Sequence, residues 1–189
     1  GTVYLDGKEI KVKNPHKAID NGIAMVPEDR KKKGLVLENT LSFNITLASL
    51  KSVIDRVLIS NRKKDQTARK FMDDLSIKAP SPDAFASSLS GGNQQKVVLG
   101  KWLSTKPRLL ILDEPTRGVD VAAKSDIYAI INELAAEGLA IIMVSSELPE
   151  IINMCDSVCV VCNGRIVRQL PKEQMSQENI IKYATGVEE

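Results

Sequence analysis

Apolar positions recur along this chain with a period that changes from segment to segment. Residues 2–5 and 10–12 flank Asp6-Gly7, a pair suited to the tight turn of a hairpin. Asn14-Pro15 then opens a short helix, with Asn14 as N-cap, Pro15 in the first position and Gly22 just past the end. Residues 23–26 form a short apolar strand that Pro27 stops, and residues 28–34 (EDRKKKG) read as a charged loop. Beyond it the period turns helical. Thr40 can cap a helix carrying Leu41, Ile45 and Leu47, and a second helix is predicted over 61–75 until Ala79-Pro80-Ser81-Pro82 breaks it.

From Ser88 the texture changes again. Ser-Leu-Ser-Gly-Gly precedes a helix over 93–103, on which Val98 and Trp102, and Leu99 and Leu103, share a face. Residues 109–112 (LLIL) show no polar alternation, as in strands buried on both faces of a parallel sheet. A helix over 122–137 places Ile127, Ile130, Ile131 and Leu134 at core spacing, and Gly138 closes it. A buried strand over 139–144, a short helix through Met154, a hairpin around Asn163-Gly164 and a small terminal helix complete the pattern. Alternating strands and helices after Arg108 predict an α/β core with a mostly parallel sheet. The expected division is one domain over 1–189: a β part over 1–38, a helical insertion over 39–105 and the α/β core over 106–189.

Composition narrows the function classes. Hydrophobic residues at 43% and charged residues at 26% are the balance of a soluble globular chain. A net charge of +2 and 4% aromatic residues argue against nucleic acid as a partner. No apolar run approaches the roughly 20 residues that span a bilayer. The N-terminus lacks a signal-peptide pattern, so a cytoplasmic protein is expected, with any membrane link made through a partner. Cys155, Cys159 and Cys162 are odd in number and clustered, which argues against a disulfide framework. Strand periodicity sets Cys159 and Cys162 on opposite faces, and buried, inert thiols are the expectation.

Two segments carry candidate chemistry. The apolar strand before Asp113 ends abruptly in Asp113-Glu114-Pro115, and ligands of open α/β sheets bind at the carboxyl ends of strands. Asp113 suits Mg²⁺ and Glu114 suits a general base that orients or deprotonates water, although a solvated strand end or helix cap has the same appearance. Upstream, Ser90-Gly91-Gly92-Asn93 stands at a helix start, where free N–H groups and the helix dipole favour anions and Ser90 adds a hydroxyl. An ordinary flexible helix start reads the same way. What is specific is the order: Ser-Gly-Gly, a helix, then a strand ending in Asp-Glu about twenty residues later.

In that order the sequence resembles the ATP-binding-cassette (ABC) ATPase family. Residues 89–93 are similar to its LSGGQ signature, with Asn93 in place of Gln. Residues 111–115 resemble Walker B, 116–120 the D-loop, 144–146 the switch region and 26–28 the Q-loop. VPEDRK, LSGGNQQK, DEPTRGVDV and VSSELPE resemble the second, C-terminal nucleotide-binding domain of simple-sugar (ribose, galactose, xylose) import ATPases. The resemblance implies a P-loop-NTPase-like core and the ligands ATP and Mg²⁺. By that resemblance Asp113 and Glu28 hold the metal, while Glu114 and Ser146 serve catalysis. Ser90, Gly91, Gly92, Asn93, Glu28 and Asp120 contact nucleotide, with Ser90, Gly91 and Gly92 facing the ATP of an opposing domain. It also implies permease subunits and a second nucleotide-binding domain as partners, a sugar-binding protein indirectly, and a place at the cytoplasmic face of the plasma membrane.

The sequence departs from the commoner family pattern in three places. Glu28 stands where Gln is usual, Ser146 stands where His is usual, and the P-loop pattern G-x-x-x-x-G-K-[ST] is absent. The expectation is therefore a partial domain that begins beyond its P-loop, inactive by itself and prone to self-association. Soluble ABC ATPases acting on ribosomes or DNA, and regulatory cassettes, share Walker B and the signature and are the alternatives.

Overall fold

The computed structural model describes residues 1–55 and 58–186, so residues 56, 57 and 187–189 of the expected 1–189 domain lie outside the description. The chain divides into two compact units, Gly1–Ile142 and Met143–Glu189.

In the first unit, β1 (Val3–Leu5) and β2 (Lys8–Ile10) form an antiparallel hairpin. Asp6 and Gly7 take φ of 50° and 72°, the double left-handed turn that the pair was expected to make. The second strand starts two residues earlier than the apolar positions suggest, because so tight a turn pairs Leu5 with Lys8 at once. Helix α1 (Pro15–Asp20) begins where Asn14 accepts a hydrogen bond from the Lys17 N–H, 2.9 Å away. Next comes β3 (Ile23–Val26), which pairs in parallel with β6 (Leu109–Asp113), Val26 opposite Leu112. With β7 (Ala140–Val144) they make a three-stranded sheet in the order β3-β6-β7. One face of β3 and β6 is buried through Ala24, Val26, Leu110 and Leu112, whereas Met25 on the other face is exposed.

The helical segment was expected and is observed. Thr40 caps α2 (Leu41–Thr46), which continues into a 3₁₀ stretch over Leu47–Val53. Ser60 caps α3 (Asn61–Asp74), and Ser90 caps α4 (Gly91–Leu103). Helix α2 packs on both α3 and α4, and Leu41, Ile45, Ala68, Val97, Val98 and Leu99 are buried. Gly100 lets α4 approach α3: a Cβ there would already stand 3.4 Å from Leu75 and Phe71 side-chain atoms. A small hairpin of β4 (Ile54–Asp55) and β5 (Leu58–Ile59), not foreseen from the sequence, lies between these helices in the chain. Between β6 and β7 runs α5 (Val121–Ala136), buried through Ile127 and Ile131.

Residues 28–34 correct the reading of a loop. Arg30–Gly34 forms a π-helical turn, because the Asp29 carboxylate accepts from the Lys31 and Lys32 N–H groups and starts it. Its far end is held by Lys101, whose buried ammonium donates to the Gly34 carbonyl. Burial pushes the Lys101 pKa down.

The second unit holds α6 (Leu148–Met154), the hairpin of β8 (Ser157–Cys162) and β9 (Arg165–Pro171), and α7 (Gln177–Ala184). Asn163 and Gly164 turn the hairpin with φ of 49° and 75°. Ile151, Val160, Leu170, Met175 and Ile180 make its core. Cys159 corrects the expectation of buried thiols: it lies on the exposed face of β8, opposite buried Val160. No helix among the described residues is long and apolar enough to cross a membrane.

Candidate functional site

The parallel pairing of β3 and β6 brings two chain exits together. Val26 and Leu112 are register partners, so Glu28 leaves one strand end beside the point where Asp113 and Glu114 leave the other. Leu112 is fully buried and Asp113 half-buried, so the strand delivers its carboxylate from the core to the surface within one residue. Glu114 has φ of 48°. A left-handed non-glycine residue costs on the order of 1–3 kcal/mol, and such strain gathers at functional sites. The strain bends the chain sharply: Arg117 N–H donates to the Glu114 carbonyl at 3.1 Å and Val119 N–H to that of Thr116 at 3.1 Å. Asp120 then caps α5, accepting from the Ala123 N–H at 3.0 Å.

Helix α4 starts against this bend. Ser90 Oγ accepts from the Asn93 backbone N–H at 3.5 Å and from Asn93 Nδ2 at 3.0 Å, while Asn93 Oδ1 accepts from the Lys78 N–H at 2.8 Å. Asn93 is thereby fixed on both sides and orients Ser90. The first-turn N–H groups of a helix have no intrahelical partner, and its dipole favours anions there. The two glycines have separate reasons. A Cβ on Gly91 would stand 3.2 Å from the Gly118 carbonyl oxygen, and one on Gly92 would stand 2.4 Å from Ala123 Cβ. On its side-chain direction Gly92 is thus closed by α5.

Charge organises the remainder. Glu28 pairs with Arg117 across the two strand exits, a half-exposed ion pair of small energetic weight. Arg30 donates to the carbonyl oxygens of Arg117 and Gly118, at 2.8 and 2.9 Å. Burial lowers the Arg30 pKa, partly offset by the neighbouring Asp29 carboxylate. Reading residues 28–34 as a charged loop missed this side chain. The available signal was one arginine at the head of a lysine run, since only the planar guanidinium forks between two acceptors.

The donor set suits one kind of metal. Among the described residues no group of three His, Cys, Asp or Glu side chains could enclose an ion. Mg²⁺ is commonly held by one or two carboxylates, with phosphate oxygens and water completing the shell. Asp113 fits that role as it stands, whereas Glu28 would first have to leave Arg117.

Ser146 belongs to the second unit, exposed between β7 and α6, where Ser145 Oγ accepts from the Glu147 N–H at 3.0 Å. Thus Glu28, Gly91, Gly92 and the 113–120 bend are brought together in the first unit, and Ser146 is carried by the other. A cleft of about 980 Å³, lined by Phe71, Arg108, Leu134 and Leu139 among others, opens at the amino end of β6, away from these carboxylates.

The family profile described as ABC transporter matches residues 1–117. The chain is 53% identical over 186 residues to the xylose import ATP-binding protein XylG of Moorella thermoacetica, covering 98% of this chain and 37% of that protein. It is 50% identical over 186 residues to the ribose import ATP-binding protein RbsA of Geobacillus kaustophilus, covering 98% of this chain and 38% of that one. The chain therefore spans well under half the length of these relatives. Among solved structures, a nucleotide-free ATP-binding cassette from an ABC transporter superposes with a TM-score of 0.80 at 24% identity, covering 96% of this chain and 73% of that one. That likeness establishes the mixed α/β cassette fold.

Proposed function

The chain belongs to the ABC transporter family, and from that premise we propose that it is a nucleotide-binding domain, the second of two in its polypeptide, whose use of ATP drives carbohydrate import. The observation that carries this reading is the seating of the Ser90-Gly91-Gly92 helix start on the strained bend after Asp113 and Glu114. One compact unit holds both this glycine-containing helix start and the carboxylates at the ends of β3 and β6, which supports this division of roles.

In this reading Asp113 would hold Mg²⁺, joined by Glu28 were Arg117 to release it. The bound ion would neutralise charge on the phosphate oxygens. Glu114 polarises the attacking water, and Ser146 donates to the terminal phosphate. Ser90, oriented by Asn93, and the N–H groups of Gly91 and Gly92 take the γ-phosphate of ATP held by an opposing domain. Asp120 fixes the start of α5 beside them. The sequence contains no G-x-x-x-x-G-K-[ST] pattern, whose backbone N–H groups and lysine would grip a triphosphate. This chain alone therefore binds Mg-ATP weakly and does not hydrolyse it.

The names of the xylose and ribose import relatives support a simple sugar as the cargo. Membrane permease subunits and, through them, a sugar-binding protein are the partners, and the domain works peripherally at the cytoplasmic face. Met25 and Ile142, exposed at 44% and 51% on sheet strands, support self-association of the chain when it is alone. The test is Glu114→Gln in the polypeptide assembled with its permease subunits. ATP should be trapped and steady-state turnover should fall; unchanged turnover without trapping would remove Glu114 from the mechanism.

A further inference from the structure

Arg30 opens the π-helical turn after β3, yet its guanidinium leaves that turn. Nη1 reaches the carbonyl of Arg117 and Nη2 that of Gly118, while Nε points at Gln94 Oε1, 3.4 Å away. One planar group thereby joins three segments distant in sequence: the turn after β3, the bend between β6 and α5, and the first turns of α4. Both carbonyl acceptors lie in the bend that Glu114 and Gly118 enter and leave with φ of 48° and 64°. A bend of that conformation is costly by itself and persists only where its surroundings hold it.

Each end of this connection is anchored. Gln94 is buried, and its Nε2 donates to the Ala86 carbonyl at 3.1 Å, which fixes the direction of Oε1. The turn that roots Arg30 is strapped to the far end of α4 by Lys101, and Gly34 there lies so close to Val98 that a Cβ would stand 3.0 Å from it. The guanidinium also abuts the helix start, since a Cβ on Gly91 would be 2.7 Å from Nη2. By contrast the other link across the bend, Arg117 with Glu28, is a half-exposed ion pair and holds little.

We propose that Arg30 is a positioning residue that clamps the 114–119 bend to the Ser90-Gly91-Gly92 start of α4, so that the Glu114 carboxylate and the anion-binding turn keep one mutual geometry through turnover. It acts through the backbone of Arg117 and Gly118 and through Gln94, not on nucleotide. A lysine cannot replace it, because an ammonium does not offer parallel N–H donors to two carbonyls in a fixed plane. The role rests on the nucleotide-binding function proposed above.

Two measurements on Arg30→Met and Arg30→Lys separate the clamp from that function. In the 189-residue chain, amide hydrogen exchange at 114–119 should quicken by about tenfold or more in both variants, with exchange in the β8–β9 hairpin unchanged. In the polypeptide assembled with its permease subunits, kcat for ATP should fall about tenfold while KM stays within about twofold. Unaltered exchange at 114–119 would overturn the clamp, as would quickened exchange with an unaltered kcat. If Arg30→Met does not fold, Arg30→Lys carries both readouts. A wild-type assembly without ATPase activity would instead sink the proposed function, and the exchange result would still decide the clamp.

Discussion

A methyl group on Gly92 would stand 2.4 Å from the Cβ of Ala123. Neither position has a flexible side chain that could swing aside, so α4 and α5 meet here backbone to backbone. Two effects of Gly92→Ala then compete. Alanine favours a helix over glycine by about 0.5–1 kcal/mol, while forcing an extra carbon into a closed contact costs about 1–3 kcal/mol. The contact should win. Urea denaturation should show a net loss of about 1–2 kcal/mol, and Ala123→Gly should recover part of it. A variant as stable as wild type would mean the two helix starts are not in contact.

Much of this architecture was legible because its signals are local. Asn14 and Thr40 cap the helices they were expected to cap, Asp6-Gly7 and Asn163-Gly164 turn the expected hairpins, and the apolar runs at 23–26 and 109–112 became the paired strands. The Ser90-Gly91-Gly92 start and the Asp113-Glu114 exit were likewise visible as motifs. What was hidden depends on partners distant along the chain. The π-helical turn looks like a solvated lysine run until Lys101 and Gln94 are seen to hold its two ends. The packing need for glycine at position 92 likewise shows only once Ala123 of α5 is placed against it. The strain at Glu114 has no sequence signature at all, because nothing in the residue type demands a left-handed φ.

Lys101 should reveal itself at alkaline pH. Its native pKa lies below the ordinary 10.5 because burial disfavours the ammonium. The unfolded chain therefore binds more protons at this side chain between the lowered value and 10.5, and stability rises with pH across that window. Lys101→Met removes the titration. The stability difference between wild type and variant, measured by urea titration from about pH 8 to about pH 10.5, should move in favour of wild type as pH rises. A flat difference would show that the ammonium is not held in a desolvated place.

The pair of Lys96 and Asp126 makes an opposite, acid-side prediction. Lys96 is only 5% exposed in its side chain and donates to Asp126 Oδ2 at 2.9 Å and to the Ser76 carbonyl at 3.3 Å. The hydrogen bond from Lys96, then its charge, lower the Asp126 pKa below the ordinary 3.8. A lowered carboxylate pKa contributes stability that is present above 3.8 and is lost as pH falls through the native value. Asp126→Asn should lower the urea midpoint at neutral pH, and the gap to wild type should close as the solution is acidified past that point. A gap that persisted in strong acid would assign the effect to packing rather than charge.

By the proposed function the helix start at Ser90 serves nucleotide held by another domain, not by this chain alone. Ser90 is exposed, so Ser90→Cys offers a thiol whose maleimide labelling can be followed by peptide-resolved mass spectrometry, apart from Cys155, Cys159 and Cys162. In the polypeptide assembled with its permease subunits, Mg-ATP should slow labelling at position 90 by about tenfold or more, while the same nucleotide leaves labelling of the 189-residue chain unchanged. Equal labelling with and without Mg-ATP in the assembly, or protection of the lone chain at micromolar ATP, would contradict the account.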